Sequence, residues 1–429
     1  MNFNSSLDFA RSLDEQDPLK EFRNSFIIPK NADGSYKTYF LGNSLGLQPH
    51  SCKASLEKIL DQWASLGVEG FFEGDEPWMI LHDRLAAMMA PVAGAKPSEI
   101  TIMNQLTVNL HLMMVSFYQL KGRRKKILVE KKAFPSDQYM LESMLRFLGE
   151  DPSDILIEIP SDPSTQLMEM NSIIEMIRKN ADELAMVFLG GLNYYTGQVL
   201  DMEAITSEAH KAGAKAGFDL AHAAGNVPLQ LHDWNVDFAC WCNYKYLNGG
   251  PGAVGTAFIH ERYHEDKSIN RLGGWWGHNK SKRFLMEQGF EPVQSAEGWQ
   301  LSTPPILLYA ALEASLKIFD QAGMPMLFEK SKLLSNYMLW LLEDLDKHTG
   351  GAIKLITPAS PGERGSQFSL LILDRGKEVY DFLKEKGFFC DWREPNVIRI
   401  APVPLYNTYE EAWNFYRTLS LFYDQGTNH

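Results

Sequence analysis

The sequence predicts an α/β protein: a large domain on a mostly parallel, helix-covered sheet, followed by a smaller α+β C-terminal domain. Between residues 127 and 260, short apolar runs of strand length alternate with amphipathic stretches of helix length, the pattern of a parallel sheet with crossover helices. Past residue 304 that alternation stops, and two long helical patterns lead into a new set of strands. At 429 residues the chain also exceeds the size at which a single hydrophobic core usually stops growing. The expected division is a segment 1–50 packing with the small domain, a large domain over 51–310 and a small domain over 311–429.

Taken in order, Leu56, Ile59, Leu60 and Trp63 recur at helical spacing, and Trp78, Leu81, Leu85 and Met88 repeat the pattern, so two amphipathic helices open the chain. Strands are expected at 127–130, 155–159, 185–189, 214–220, 238–243 and 253–260, with helices at 135–148 and 202–212 among them. Helices over 304–321 and 325–347 then lead to strands at 352–356, 367–373 and 397–401. The last helix carries a capping box, Thr408 with Glu411 three residues on, ahead of Trp413, Phe415 and Tyr416. No internal repeat or flexible linker is visible, so the domains are expected to pack closely.

A net charge of −13 disfavours a nucleic-acid partner, because an acidic surface repels polyanions. The one dense basic run, Lys121-Gly-Arg-Arg-Lys-Lys126, reads as a solvated loop before a strand. Cys52, Cys240, Cys242 and Cys390 are too scattered for a disulfide framework and show no zinc-ligand spacing, which fits a reducing compartment and no metal. The N-terminus lacks a basic region with an apolar core, and no run of about 18 apolar residues occurs, so the reading is cytoplasmic, with no membrane partner.

Chemistry concentrates at Lys245. It follows the apolar strand Phe238-Ala-Cys-Trp-Cys-Asn243 and precedes the Gly-rich turn Leu247-Asn-Gly-Gly-Pro-Gly252. Asp219 ends another apolar strand in Phe218-Asp-Leu-Ala-His-Ala-Ala-Gly225, and open α/β sheets bind ligands at the carboxyl ends of their strands. An amine and a carboxylate facing one ligand suit pyridoxal phosphate, whose aldehyde takes a lysine and whose pyridinium nitrogen needs an anionic partner. Taken alone, Asp219 would read as a helix cap and Lys245 as a surface residue; the Asp-x-x-His spacing to His222 and the glycines after Lys245 shift the balance. Met103-Asn-Gln-Leu-Thr-Val-Asn-Leu110 is a polar entry into an apolar helix, where Leu106 and Thr107 would offer backbone N–H groups to a phosphate, although core packing explains Leu106 equally well. Phe134 precedes Pro135 at a helix start, placed either to stack on a pyridine ring or to act as a hydrophobic staple. Arg399 alternates with Ile398 and Ile400, which fits a carboxylate grip and a solvent-facing edge position equally.

Together these residues resemble the kynureninase family, pyridoxal phosphate enzymes of fold type I in the class V aminotransferase branch. The resemblance runs through most of the chain, in Tyr39-Phe-Leu-Gly-Asn-Ser-Leu-Gly-Leu-Gln-Pro49, Leu106-Thr-Val-Asn-Leu-His-Leu112, Ala133-Phe-Pro-Ser-Asp137, Tyr195-Thr-Gly-Gln198, Leu231-His-Asp-Trp234, Tyr244-Lys-Tyr-Leu-Asn248, Gly274-Trp275 and Ser302-Thr-Pro-Pro-Ile306. It implies a Schiff-base Lys245, a pyridinium partner in Asp219 and cofactor contacts from Leu106, Thr107, Phe134, Asp137, His222 and Tyr244. It further implies that Trp275 and Thr303 reach the phosphate region from the partner subunit of a homodimer, that Arg399 holds the substrate α-carboxylate, and that Ser44 and Phe71 face the substrate. The implied activity is hydrolysis of L-kynurenine to anthranilate and L-alanine, with 3-hydroxykynurenine as a second substrate, within the kynurenine pathway of tryptophan catabolism and NAD biosynthesis. In mechanism, Lys245 is both tether and base and Tyr244 the later acid.

Two positions depart from the family pattern: relatives place a histidine near Phe71, and some carry serine at Gly190. With Thr303 where certain relatives have asparagine, fewer polar partners face a 3-hydroxyl, which favours kynurenine. Two rival readings stand beside this one. A cysteine desulfurase or selenocysteine lyase needs a reactive cysteine on a mobile loop, whereas Cys390 follows an apolar Gly387-Phe-Phe389 run; a non-catalytic cofactor-binding sensor needs an appended partner-binding module, and none is visible.

Overall fold

The computed structural model describes residues 2–120 and 122–426. Met1, Lys121 of the basic run and residues 427–429 lie outside the described residues. The main sheet has seven strands: β1 (Ile100–Ile102), β2 (Lys126–Glu130), β3 (Leu156–Ile159), β4 (Leu184–Gly190), β5 (Lys215–Asp219), β6 (Phe238–Cys242) and β7 (Gly255–Ile259). Their order is β1-β7-β6-β5-β4-β2-β3. From β6 across to β3 every pairing is parallel, while β7 runs antiparallel to both β6 and β1. Order reverses between β2 and β4, so their carboxyl ends flank the crevice where such sheets place a ligand.

The strands are near-continuous apolar runs because helices cover both faces; Phe218, Phe238 and Trp241 are fully buried. At the middle of the sheet, the Phe238 ring stacks on Phe117 at 5.0 Å and on Phe188 at 6.4 Å. Phe117 ends the helix Leu106–Phe117, so this stack seats that helix on the sheet and aims its N-terminus at the crevice. The space for the Phe238 ring exists because Gly217, its register partner on β5, has no side chain.

A second sheet of four antiparallel strands, β8 (Ile353–Leu355), β9 (Phe368–Ile372), β10 (Asp391–Arg393) and β11 (Val397–Ile400), is ordered β8-β9-β11-β10. It has its own core, in which Leu334, Tyr337 and Leu341 of the helix Met324–His348 and Phe415 and Leu419 of the helix Tyr409–Gly426 meet Phe368 and Ile400. The capping box is present: Glu411 accepts from the Thr408 N–H at 3.2 Å, and Thr408 Oγ1 accepts from the Glu411 N–H at 3.1 Å. The N-terminal helix Leu7–Gln16 joins this core through Ala10 and Leu13.

Several expectations need adjusting. Ile155 ends a short helix, Pro152–Ile155, whose cap Asp151 accepts from the Ser153 N–H, and the strand starts one residue later. Trp78–Ile80 is a 3-10 turn ahead of the helix Leu81–Ala93, and Pro97–Glu99 is a second such turn leading into β1, a strand too short to show a period. The helices Met170–Lys179 and Gly376–Glu385 were not expected. No helix among the described residues is long and apolar enough to cross a membrane.

Candidate active site

The carboxyl ends of β2, β4 and β5 deliver Glu130, Gly190 and Asp219 to one cavity of about 160 Å³. Leu106, Thr107, Phe134, Asp137, His222, Tyr244 and Lys245 complete it, which brings together eight of the residues the sequence singles out. The chain turns sharply after Lys245, with Gly250 and Gly252 at left-handed φ of 92° and 68°. Leu41 to Leu47, which carries Ser44, packs over that turn: the Gly46 N–H donates to the Tyr244 carbonyl at 2.8 Å, and a Cβ on Gly46 would collide with the Lys245 carbonyl and Asn248.

Lys245 is buried, and its Nζ lies 2.9 Å from Nε2 of His222. Burial, then the lysine charge, pushes the His222 imidazole well below its usual range, so a neutral ring accepts from the amine. Asp219 Oδ1 accepts the Ala221 N–H at 2.7 Å in a local turn; no helix follows for it to cap. Burial raises the Asp219 carboxyl and the nearby Lys245 charge opposes that rise. Asp137 lies well above the carboxylate range, first through burial and then through the Asp219 charge. Leu106, Thr107 and Val108 begin a helix whose first intrahelical acceptor, the Gln105 carbonyl, is taken by Asn109 at 3.0 Å, leaving their N–H groups for an anion. The Phe134 ring is 37% exposed, edge-on to Tyr194 at 5.2 Å, with its centre 5.9 Å from Lys245 Nζ.

Arg399 is only 1% exposed, which removes the solvent-facing edge alternative: β11 lies between β9 and β10. Its Nε donates to Asp391 Oδ2 at 3.0 Å, Nη2 contacts the same oxygen, and Nη1 donates to the Tyr194 carbonyl at 2.5 Å. Tyr194 lines the cavity, so the arginine reaches the site's edge through one backbone carbonyl. Trp275, Thr303 and Phe71 do not line it. Trp275 Nε1 donates to the Arg283 carbonyl at 2.9 Å, Thr303 is exposed, and Phe71 packs edge-on against Trp78 at 5.0 Å.

Sequence reasoning missed Glu130 and Tyr194. Glu130 had the same signature as Asp219, an acid closing an apolar strand; burial pushes it up to about 7. Tyr194 had no such signal. A second cluster, Glu99 with His232 and His260, is a structural tie: Glu99 accepts the Lys96 and Glu261 N–H groups and His260 Nδ1 that of Arg262.

Residues 95–369 match the model of the class V aminotransferases, and residues 327–419 match that of the kynureninase C-terminal domain. A kynureninase from Flavobacterium psychrophilum is 49% identical, with 97% of each chain covered. The chain belongs to the kynureninase family. Another kynureninase, from Koribacter versatilis, is 47% identical over 96% of this chain and 97% of its own. Among solved structures, a C-DES variant with glycine covalently linked to its PLP cofactor superposes with a TM-score of 0.74 at 17% identity, covering 89% of this chain and 96% of its own. A cysteine desulfurase from Thermococcus onnurineus superposes with a TM-score of 0.71 at 16% identity, covering 91% and 95%. These two share the fold alone.

The cofactor of a class V kynureninase-family chain is pyridoxal phosphate, and the cavity fits it. Two polar atoms buried there, Asp137 Oδ1 and His222 Nδ1, have no hydrogen-bond partner among the described residues. A lysine, a buried carboxylate pair and a helix N-terminus surround one small volume. Lys245 would carry the aldehyde carbon, Asp219 the ring nitrogen and the Leu106–Thr107 backbone the phosphate.

Proposed function

We propose that the chain hydrolyses the Cβ–Cγ bond of L-kynurenine to anthranilate and L-alanine. The observation that carries this is near-full-length identity of 47–49% to kynureninases, in a chain whose expected site residues converge on one cavity around Lys245. Bound there, pyridoxal phosphate supplies an electron sink for charge developed on carbons next to the substrate nitrogen. Asp219, fixed by the Ala221 N–H, would supply the anionic partner for the ring nitrogen. The Lys245 amine would take the Cα proton, and neutral His222 beside it accepts a hydrogen bond from that amine. Tyr244, whose phenol burial raises above its usual range, holds a proton at neutral pH and is the donor to Cβ after cleavage. Arg399 grips the α-carboxylate.

The preference for kynurenine over its 3-hydroxy form rests on the sequence departures at Phe71 and Thr303; Phe71 itself packs against Trp78 and Trp276, outside this chain's cavity. The desulfurase reading is disfavoured by Cys390, which is buried and pushed up to about 12 by burial. We read residues 51–310 as the cofactor domain and 311–429 as the small domain with 1–50 packed on it, in keeping with the two sheets and their separate cores. The chain is read as a homodimer that shares its sites through Trp275 and Thr303; Trp275 is 43% exposed within an apolar surface. A reducing, cytoplasmic setting suits four free cysteines, all buried, and a place in tryptophan catabolism or NAD supply follows from the substrate.

The test is incubation of cofactor-loaded protein with L-kynurenine and, separately, 3-hydroxy-L-kynurenine. Equimolar aromatic acid and alanine, with the higher kcat/KM for kynurenine, is the expected result, abolished in K245A. Cofactor binding without cleavage of either compound would overturn the reading and make cysteine and selenocysteine the next substrates.

A further inference from the structure

The turn after β4, from Asn193 to Gln198, is built around one side chain. Asn193 Oδ1 accepts three donors: the N–H groups of Tyr195 at 3.0 Å and Thr196 at 2.9 Å, and Thr196 Oγ1 at 3.1 Å. Its backbone closes the same turn, with Asn193 N–H donating to the Gln198 carbonyl at 2.8 Å and Gly197 N–H to the Asn193 carbonyl at 2.9 Å. On the cavity side, Nδ2 of Asn193 donates to Glu130 Oε2 at 3.2 Å. The turn so shaped presents three consecutive carbonyls to the second sheet. Tyr194 O accepts from Arg399 Nη1 at 2.5 Å and Gln367 Nε2 at 2.9 Å; Tyr195 O accepts from Ser369 Oγ at 2.5 Å; Thr196 O accepts from Thr357 Oγ1 at 2.6 Å.

The hydrogen-bond inventory of Arg399 gives this arrangement a consequence. A guanidinium has five N–H groups. Asp391 takes the Nε–H and one on Nη2, and Tyr194 O takes one on Nη1, which leaves one N–H on each terminal nitrogen. That pair is what a bidentate carboxylate requires. Asp391 fixes one edge of the fork and the Tyr194 carbonyl fixes the other, so the fork's aim depends on where the turn holds that carbonyl.

We propose that Asn193 is the positioning residue for Arg399, so that the turn its Oδ1 holds sets the grip on the substrate α-carboxylate. This rests on the reading of Arg399 as the carboxylate ligand. It extends that reading to Asn193, which acts on Arg399 through the Tyr194 carbonyl rather than by a bond of its own.

The experiment uses the cofactor-loaded enzyme and its N193A and N193D variants. In N193A, the KM for L-kynurenine and the inhibition constant of L-alanine rise together, by about tenfold, while kcat changes by less than about threefold and the cofactor absorbance is unaltered. N193D, which keeps the Oδ1 acceptor, brings both constants back towards wild type. The amine that lacks the carboxylate of kynurenine binds wild type and N193A equally. Unchanged constants in loaded N193A, or an equal loss of affinity for the carboxylate-free amine, would overturn the proposal. Should N193A not take up cofactor, N193D decides it: constants raised tenfold with the acceptor in place count against it, and wild-type constants support it. L-alanine binding is read from the absorbance of the bound cofactor, so it reports on Arg399 even if L-kynurenine proves not to be cleaved.

Discussion

Lys245, His222, Asp219, Asp137 and Glu130 place one amine and three carboxyls around a single small cavity, and burial keeps part of that charge from appearing. Glu130 is the member whose proton can be followed. Held up to about 7 in the folded chain against an ordinary value near 4.3, it contributes stability that is fully present below the ordinary value and lost as pH rises through about 7. Asp219, Asp137, Tyr194 and Asn193 face it and remain the same in a glutamine variant. For the cofactor-free protein, the stability advantage of E130Q over wild type should therefore grow by about 3 kcal/mol between pH 5 and pH 8, measured by urea denaturation. Parallel pH profiles would show that Glu130 is not the group titrating. Lys245, Asp219 and Phe134 were legible in the sequence because each sits at a strand or helix boundary with a distinctive neighbour; the contact between His222 and the lysine amine was not, because it joins two loops and carries no spacing of its own.

The elements are positioned by aromatic packing against glycine. Gly217 lies two residues before Asp219 on β5, and any side chain there would enter the Phe238 ring on β6, the strand that leads to Lys245. The same ring carries Phe117 and with it the helix whose N-terminus faces the cavity. A valine at Gly217 should separate the two site strands and cost about 1–3 kcal/mol or more of stability, with cofactor occupancy falling alongside the thermal midpoint. A G217V protein of unchanged midpoint and full occupancy would show that the packing is not what sets the site. The run of parallel strands was readable from their apolar continuity, as was the last helix from its capping box. The reversed direction of β7 was not: strand direction is set by which neighbour it pairs with, and 253–260 reads the same either way.

Across the whole molecule, the two sheets meet through the turn at Asn193 and through the N-terminal segment, where Asn43 Nδ2 donates to Gln367 Oε1 at 3.1 Å and Gly46 lies against the Lys245 turn. One surface stays apolar: Phe72, Leu272, Trp275, Phe284, Leu285 and Met286 are each more than two-fifths exposed, and Phe284 contacts both Phe72 at 5.7 Å and Trp275 at 5.5 Å. A patch of this kind around Trp275 suits a second copy of the chain. M286D, which places a charge on the most exposed of these residues, should shift the sedimenting species from twice the chain mass to the chain mass and weaken cofactor retention. A variant that sediments as wild type would move the interface elsewhere.

Residue types and their local settings were readable along the chain: apolar strands that end in Asp219 and run into Lys245, a helix opening at Leu106, a capped final helix, and enough motifs to indicate the family. Folding brings in the rest: which of those ends converge, that Glu130 joins Asp137 and Asp219, that Arg399 is buried and shared between Asp391 and the Tyr194 carbonyl, and that Trp275 and Thr303 lie away from this chain's own cavity. The physical reason is range. Periodicity and capping act within a few residues, whereas strand order, burial and the partners of a guanidinium are fixed by contacts between segments far apart in the chain.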